Sequence, residues 1–154
     1  MIKGMHHANV VVSDMAKTKE FYTGILGLEI ALETVIDEME FARGVGLPGT
    51  KVLATFFAVP GTPTLIETFQ YLHPVSRPVP TDARPNDMGV GHICFQVDDI
   101  QDAYRELRGK GVEFASDPVT IPPSHPKAGG IRFCYFYGPD RELLELLQTP
   151  GTMT

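Results

Sequence analysis

His7-Ala8-Asn9-Val10-Val11-Val12-Ser13-Asp14 is restated, in kind and in order, by His92-Ile93-Cys94-Phe95-Gln96-Val97-Asp98-Asp99. In both stretches a histidine stands seven residues before an aspartate, and the residues between them alternate. Such alternation marks a strand with one buried face. Ala8, Val10 and Val12 share one face, and His7, Asn9, Val11 and Ser13 the other. In the second copy Ile93, Phe95 and Val97 oppose His92, Cys94 and Gln96. The uniformly apolar faces are expected to pack on a helix. The mixed faces then point away from it, into whatever the curved sheet encloses.

The sequence around these strands repeats as well. Asp14 and Asp99 offer N-cap chemistry, and Asp98 is read with Asp99 as capping. Residues 15–26 place Met15, Phe21, Tyr22 and Ile25 at roughly helical spacing, and Gly27 stops them. Residues 99–108 carry Ile100, Ala103, Tyr104 and Leu107 as an apolar stripe that ends at Gly109 and Gly111. Leu28-Glu29-Ile30 and Val112-Glu113-Phe114 resume strand sequence. Residues 52–59 and 64–69 read as two more strands, separated by the turn Pro60-Gly61-Thr62-Pro63. Each half finishes in a strand with one carboxylate among apolar residues: Leu65-Ile66-Glu67-Thr68-Phe69 and Leu143-Leu144-Glu145-Leu146-Leu147. The order strand, helix, then about three strands occurs twice, which is an internal repeat. A carboxylate in so apolar a strand needs a partner if it is buried.

Composition narrows the function classes. The chain has 154 residues, 43% apolar and 21% charged, ordinary for a soluble globular protein and long enough to bury a core without staples. No apolar run approaches the ~18–20 residues of a membrane span, and Met1-Ile2-Lys3-Gly4 opens no leader-like pattern, so a secreted form is not expected. A net charge of −6 argues against nucleic-acid and acidic-membrane partners. The two cysteines, Cys94 and Cys134, make no disulfide framework, so a reduced, cytoplasmic setting is expected. Prolines gather at 60–85 and 118–126, which read as loops.

These motifs resemble the vicinal oxygen chelate superfamily, which includes glyoxalase I, methylmalonyl-CoA epimerase, extradiol dioxygenases and the fosfomycin and bleomycin resistance proteins. The resemblance rests on His7 to Asp14 with Phe21-Tyr22 and Leu26-Gly27-Leu28, on Gly91-His92 to Asp99, and on Gly138-Pro139-Asp140 leading to Leu144-Glu145-Leu146. It implies an α+β fold of tandem βαβββ modules forming a curled, open-barrel mixed sheet around a metal site. Residues 1–154 are then one domain of two modules, about 5–72 and 90–148, joined by a proline-rich linker. Carried over, the metal ligands are His7, Glu67, His92 and Glu145, with Glu145 and Glu67 as candidate bases. Asn9, Phe69, Tyr71 and Cys94 are expected to bind substrate. The resemblance also implies a homodimer. Arg141 stands where the family commonly has glycine.

The chemistry of that quartet supports the same ion. Two neutral imidazoles and two carboxylates leave a divalent cation with no net charge, which a partly buried cavity tolerates. Mixed nitrogen and oxygen ligation suits Zn²⁺, Ni²⁺, Co²⁺, Mn²⁺ or Fe²⁺ without choosing among them. Four protein ligands leave two positions of an octahedral ion for a small molecule with vicinal oxygens. The expected function is therefore a divalent-metal-dependent, glyoxalase-like lyase or isomerase/epimerase that moves a proton α to a chelated carbonyl. The alternatives are an Fe(II)-dependent extradiol-type dioxygenase, whose iron has three protein ligands, and a metal-free antibiotic-binding resistance protein. Glyoxalase I holds the glutathione carboxylate partly through an arginine and an asparagine, at the positions of Val11 and Tyr71 here. Methylmalonyl-CoA epimerase uses a further acid in the stretch that is Leu47-Pro48-Gly49-Thr50-Lys51 here. Neither pattern is kept. Of the other histidines, His6 is read as an exposed neighbour of His7 on the opposite face, and His73 and His125 as loop or lid residues.

Overall fold

The computed structural model describes residues 1–78, 80 and 82–151. It divides into two compact units, Met1–Val79 and Pro80–Thr154, each built on a four-stranded mixed sheet. The α+β class and the repeated βαβββ order are as the sequence repeat predicts.

In the first unit, β1 (His7–Val11) runs parallel to β4 (Leu65–His73); β3 (Lys51–Ala58) joins β4 and β2 (Glu29–Ile36) antiparallel, giving the order β1-β4-β3-β2. Helix α1 (Met15–Lys19) opens at Asp14, whose side chain accepts from the Ala16 and Lys17 amides at 2.9 and 3.2 Å. It widens into a π-helical turn over Glu20–Ile25, and Gly27 turns the chain at φ +74°. Val12, Met15, Tyr22, Phe57 and Ile66 are buried, with Tyr22 stacked on Phe57 at 5.0 Å. Fully burying one such side chain contributes roughly 1.5–3 kcal/mol. A second helix, α2 (Met39–Val45), was not foreseen. It ends at Gly46 in the left-handed region, and its Phe41 meets Phe69 edge-on at 5.7 Å.

The second unit repeats the plan with a four-stranded sheet of its own. Strand β5 (His92–Gln96) lies parallel to β8 (Leu143–Gln148); β7 (Arg132–Tyr137) joins β8 and the two-residue β6 (Val119–Thr120) antiparallel. Helix α3 (Ile100–Gly109) is capped by Asp99, which accepts from Gln101 and Asp102 at 2.8 and 3.0 Å. These bonds hold the Asp99 carboxyl below its usual range. Ile100, Tyr104 and Leu107 are its buried stripe. Val112-Glu113-Phe114, expected as a strand, contributes only the bridge of Phe114 to Phe136.

Parity sorts the faces as the alternation predicts. Ala8, Val10, Ile93 and Phe95 are half-buried, Val12 is buried, and His7, Asn9, Val11, His92, Cys94 and Gln96 are exposed. His73 departs from its reading as a loop residue. Strand β4 runs on to it, paired with Lys51, and ends only at Pro74. No helix among the described residues is long and apolar enough to cross a membrane.

Candidate metal centre

Register brings a histidine and a carboxylate together in each unit. In the first, Glu67 lies on β4 beside Asn9 of β1 and opposite Phe56 of β3. His7 Nε2 stands 3.4 Å from Glu67 Oε2, and Asn9 Nδ2 donates to the same oxygen at 2.8 Å. The His7 ring meets Phe56 edge-on at 6.0 Å. In the second unit Glu145 lies on β8 beside Cys94 of β5 and opposite Tyr135 of β7. His92 Nε2 is 2.9 Å from Glu145 Oε2, and the His92 ring meets Tyr135 edge-on at 5.2 Å. The two arrangements are the same device with different neighbours: Asn9 and Phe56 in one, Cys94 and Tyr135 in the other.

Burial explains why each carboxylate needs its partners. The Glu67 and Glu145 side chains are only 9% exposed, while His7 and His92 keep 38% and 40%. The acids are therefore set into the sheets, and the imidazoles reach from them to solvent. The Cys94 thiol is pushed up to about 12 by desolvation and then by the charge and hydrogen bond of Glu145. The thiol stays protonated at neutral pH and donates to Glu145. Tyr135 is raised too, by desolvation and then by Glu145.

The remaining expected residues divide. Phe69 is buried with Val52 and Ala54 in a cluster flanked by Ile36, Phe41, Phe56 and Tyr71, so its ring is occupied in packing. Tyr71 is half-buried at the margin of that cluster. His125 lies in a loop, where its Nδ1 accepts from the Lys127 and Ala128 amides at 3.3 and 3.0 Å. His6 does not turn away from His7: the two Nδ1 atoms are 2.8 Å apart. Sequence reasoning missed Phe56 and Tyr135 as well. Aligning Ala54-Thr55-Phe56-Phe57 with Phe133-Cys134-Tyr135-Phe136 would have found them.

The donor set fits the divalent ion that the resemblance implies. Each pair turns one imidazole nitrogen and one carboxylate oxygen toward each other, and imidazole with carboxylate suits first-row divalent metals. Among the described residues no group of three or more His, Cys, Asp or Glu side chains is placed so that it could hold a metal ion. The four expected ligands are thus brought together two by two, His7 with Glu67 and His92 with Glu145.

Two mixed sheets, each presenting one histidine and one glutamate from its parallel strand pair, define a protein of paired, repeated modules. The chain belongs to the Glyoxalase/Bleomycin resistance protein/Dioxygenase superfamily, whose family model matches residues 4–146. It is 32% identical over 151 residues to a 2-epi-5-epi-valiolone epimerase of Actinomyces sp, covering 96% of this chain and 80% of that one. A glyoxalase family protein from Bacillus cereus superposes with a TM-score of 0.84 at 22% identity, over 98% and 97% of the two chains. The fosfomycin resistance protein FosX from Listeria monocytogenes, in complex with Mn(II) and sulfate, gives 0.60 at 21% identity, over 99% and 96%.

Proposed function

We propose that this protein is a divalent-metal-dependent lyase or epimerase that moves a proton at the carbon next to the carbonyl of a small molecule with vicinal oxygens. His7, Glu67, His92 and Glu145 would hold the ion. The observation that carries the reading is the duplicated pair, an imidazole Nε2 facing a carboxylate almost wholly withdrawn from water. A structural role gives no reason to bury two acids against two histidines at equivalent places. An ion held by these residues would supply Lewis-acid chemistry, acidifying a C–H next to a carbonyl of the substrate. An epimerase among the relatives and Mn(II) in a structural neighbour support this choice of chemistry.

The chain's own groups divide the remaining work. Glu67 Oε2 is held by the Asn9 amide at 2.8 Å, a charge-assisted bond. Glu145 has the Cys94 thiol instead, a weak donor. His92 Nε2 also stands 2.9 Å from Glu145; with both imidazoles turned to the ion only the thiol would hold Glu145, which is then the freer carboxylate and takes the proton, with Glu67 as the second candidate. Positioned general-base catalysis contributes about 10²–10⁴-fold. Phe56 and Tyr135 flank the two imidazoles, and Asn9, Cys94 and Tyr71 meet the substrate.

The test is incubation of zinc- or manganese-loaded protein in D₂O with hydroxyketones, hydroxy acids, acyl thioesters and catechols. Mass spectrometry follows deuterium while an electrode follows oxygen. Deuterium entering beside a carbonyl, and lost in Glu145→Gln, is the expected result. Stoichiometric O₂ uptake with a catechol and Fe²⁺, persisting in Glu67→Ala, overturns it in favour of a dioxygenase. The homodimer belongs to the same reading, and a stable monomer by sedimentation at micromolar concentration refutes that part.

A further inference from the structure

We infer that His6 is a positioning residue: its Nδ1 accepts the Nδ1–H of His7 and so keeps His7 Nε2 free of a proton and turned toward Glu67. The inference rests on the reading of His7 as a metal ligand. The two Nδ1 atoms lie 2.8 Å apart, and two nitrogens that close carry one proton between them. Either ring could supply it. The other end of His7 decides. Its Nε2 is 3.4 Å from Glu67 Oε2, longer than an N–H···O bond, while Asn9 Nδ2 donates to that oxygen at 2.8 Å. In the second unit the matching distance is 2.9 Å. Among the described residues His7 is therefore the imidazole whose Nε2 proton has no acceptor within bonding distance, and whose Nδ1 proton has one.

The backbone fixes this contact. The His6 carbonyl accepts from the Leu65 amide at 3.0 Å, and the neighbouring Met5 carbonyl accepts from Thr64 Oγ1, also at 3.0 Å. His6 is thus tied to the start of β4, two residues before Glu67. The rings stand nearly perpendicular, at 87° with centroids 5.1 Å apart. A histidine that binds a metal through one nitrogen donates its other N–H to a fixed acceptor, and removing that acceptor costs about 10–100-fold in metal affinity. The second module has Gly91 where the first has His6. His6 therefore supports one ligand of the four and has no counterpart for His92.

The experiment is a zinc titration of the full chain against a chromophoric chelator, with long-range ¹H–¹⁵N spectra of the zinc-loaded protein at mildly alkaline pH. His6→Ala should weaken zinc by about 10–100-fold while the metal-free melting temperature stays that of wild type. His6→Asn, whose Oδ1 can accept the same proton, should restore most of the affinity. In the spectra His6 should carry its proton on Nε2, with Nδ1 bare. An affinity of His6→Ala within about twofold of wild type, or a proton on His6 Nδ1 in the loaded protein, overturns the inference. His7→Ala separates the two levels. Where it abolishes zinc binding and His6→Ala changes nothing, the positioning role falls and the ligand stands. Where His7→Ala leaves zinc affinity unchanged, both fall.

Discussion

Asn9→Ala isolates the contact that holds a buried carboxylate. Asn9 Nδ2 donates to Glu67 Oε2 at 2.8 Å, and the Glu67 side chain is 9% exposed. With the amide gone, His7 Nε2 stands 3.4 Å away, beyond hydrogen-bond distance and, in the tautomer inferred above, without a proton to give. A hydrogen bond to a charged group contributes about 1.5–3 kcal/mol. Asn9 is itself exposed, so water replaces part of its bond, and the cost settles near ~1–2 kcal/mol. With a urea slope of ~2 kcal/mol per molar, the midpoint of the metal-free protein falls by roughly 0.5–1 M. In a Glu67→Gln background the lost bond is neutral, and the same substitution should cost only about 0.5–1 kcal/mol. Urea unfolding of the four proteins by far-UV circular dichroism gives the coupling directly. A midpoint shift under about 0.2 M, or an equal cost in both backgrounds, refutes the claim that Asn9 holds the carboxylate.

Other consequences follow from single residues. Arg141 adopts φ +65°, a left-handed backbone that costs a non-glycine residue roughly 1–2 kcal/mol, and it offsets this by pairing with Glu113 at 3.1 Å and covering the Tyr137 ring at 4.2 Å. Arg141→Ala keeps the strain and loses the contacts, so thermal melting should find Arg141→Gly the more stable of the two by ~1 kcal/mol. Buried Cys134 is pushed up to about 11, by desolvation first and Glu145 next. The unfolded thiol ionises near pH 9 while the native one stays protonated, so the stability of this thiol is complete below pH 9 and is lost as pH rises from 9 to 11. The loss is on the order of 2 kcal/mol, and Cys134→Ala should flatten that part of the urea-derived pH profile. With methylglyoxal and glutathione the protein should be a poor catalyst. Val11 and Tyr71 offer no charged contact for a glutathione carboxylate, worth roughly 2–5 kcal/mol, and a catalytic efficiency near ~10⁶ M⁻¹s⁻¹ refutes this.

Much of the fold was legible because two period-2 strands and their caps say the same thing twice. Asp14 and Asp99 cap as their spacing to the histidines requires, and Glu67 and Glu145 each meet the histidine of their own repeat. What escaped has physical causes. Helix α2 spans only Met39–Val45, about two turns, too short for a periodic stripe to stand out. Val112-Glu113-Phe114 has strand composition, yet Phe114 alone makes a bridge, because composition does not set pairing. Strand parity turns His6 away from His7, but β1 begins at His7, and outside a strand parity assigns no face. The proline-rich surroundings of His73 read as loop, but its pairing with Lys51 extends β4 up to Pro74.

The two modules use one frame with unequal donors, and that inequality has a testable consequence. The residue beside Glu67 on the neighbouring parallel strand is Asn9, and the residue beside Glu145 is Cys94. Register fixes those positions, so exchanging the side chains changes the donor without moving either carboxylate. An amide donates a firm bond to a carboxylate and a thiol a weak one. If donor strength selects the base, Asn9→Cys combined with Cys94→Asn should release Glu67 and restrain Glu145. In wild type, Glu145→Gln should lower deuterium exchange by about 10²–10⁴-fold and Glu67→Gln by less. In the exchanged background the order should reverse, with zinc stoichiometry unchanged because all four ligands remain. If Glu145→Gln stays the more damaging substitution there, the hydrogen-bond donors do not choose the base, and the choice lies in where the substrate carbon sits.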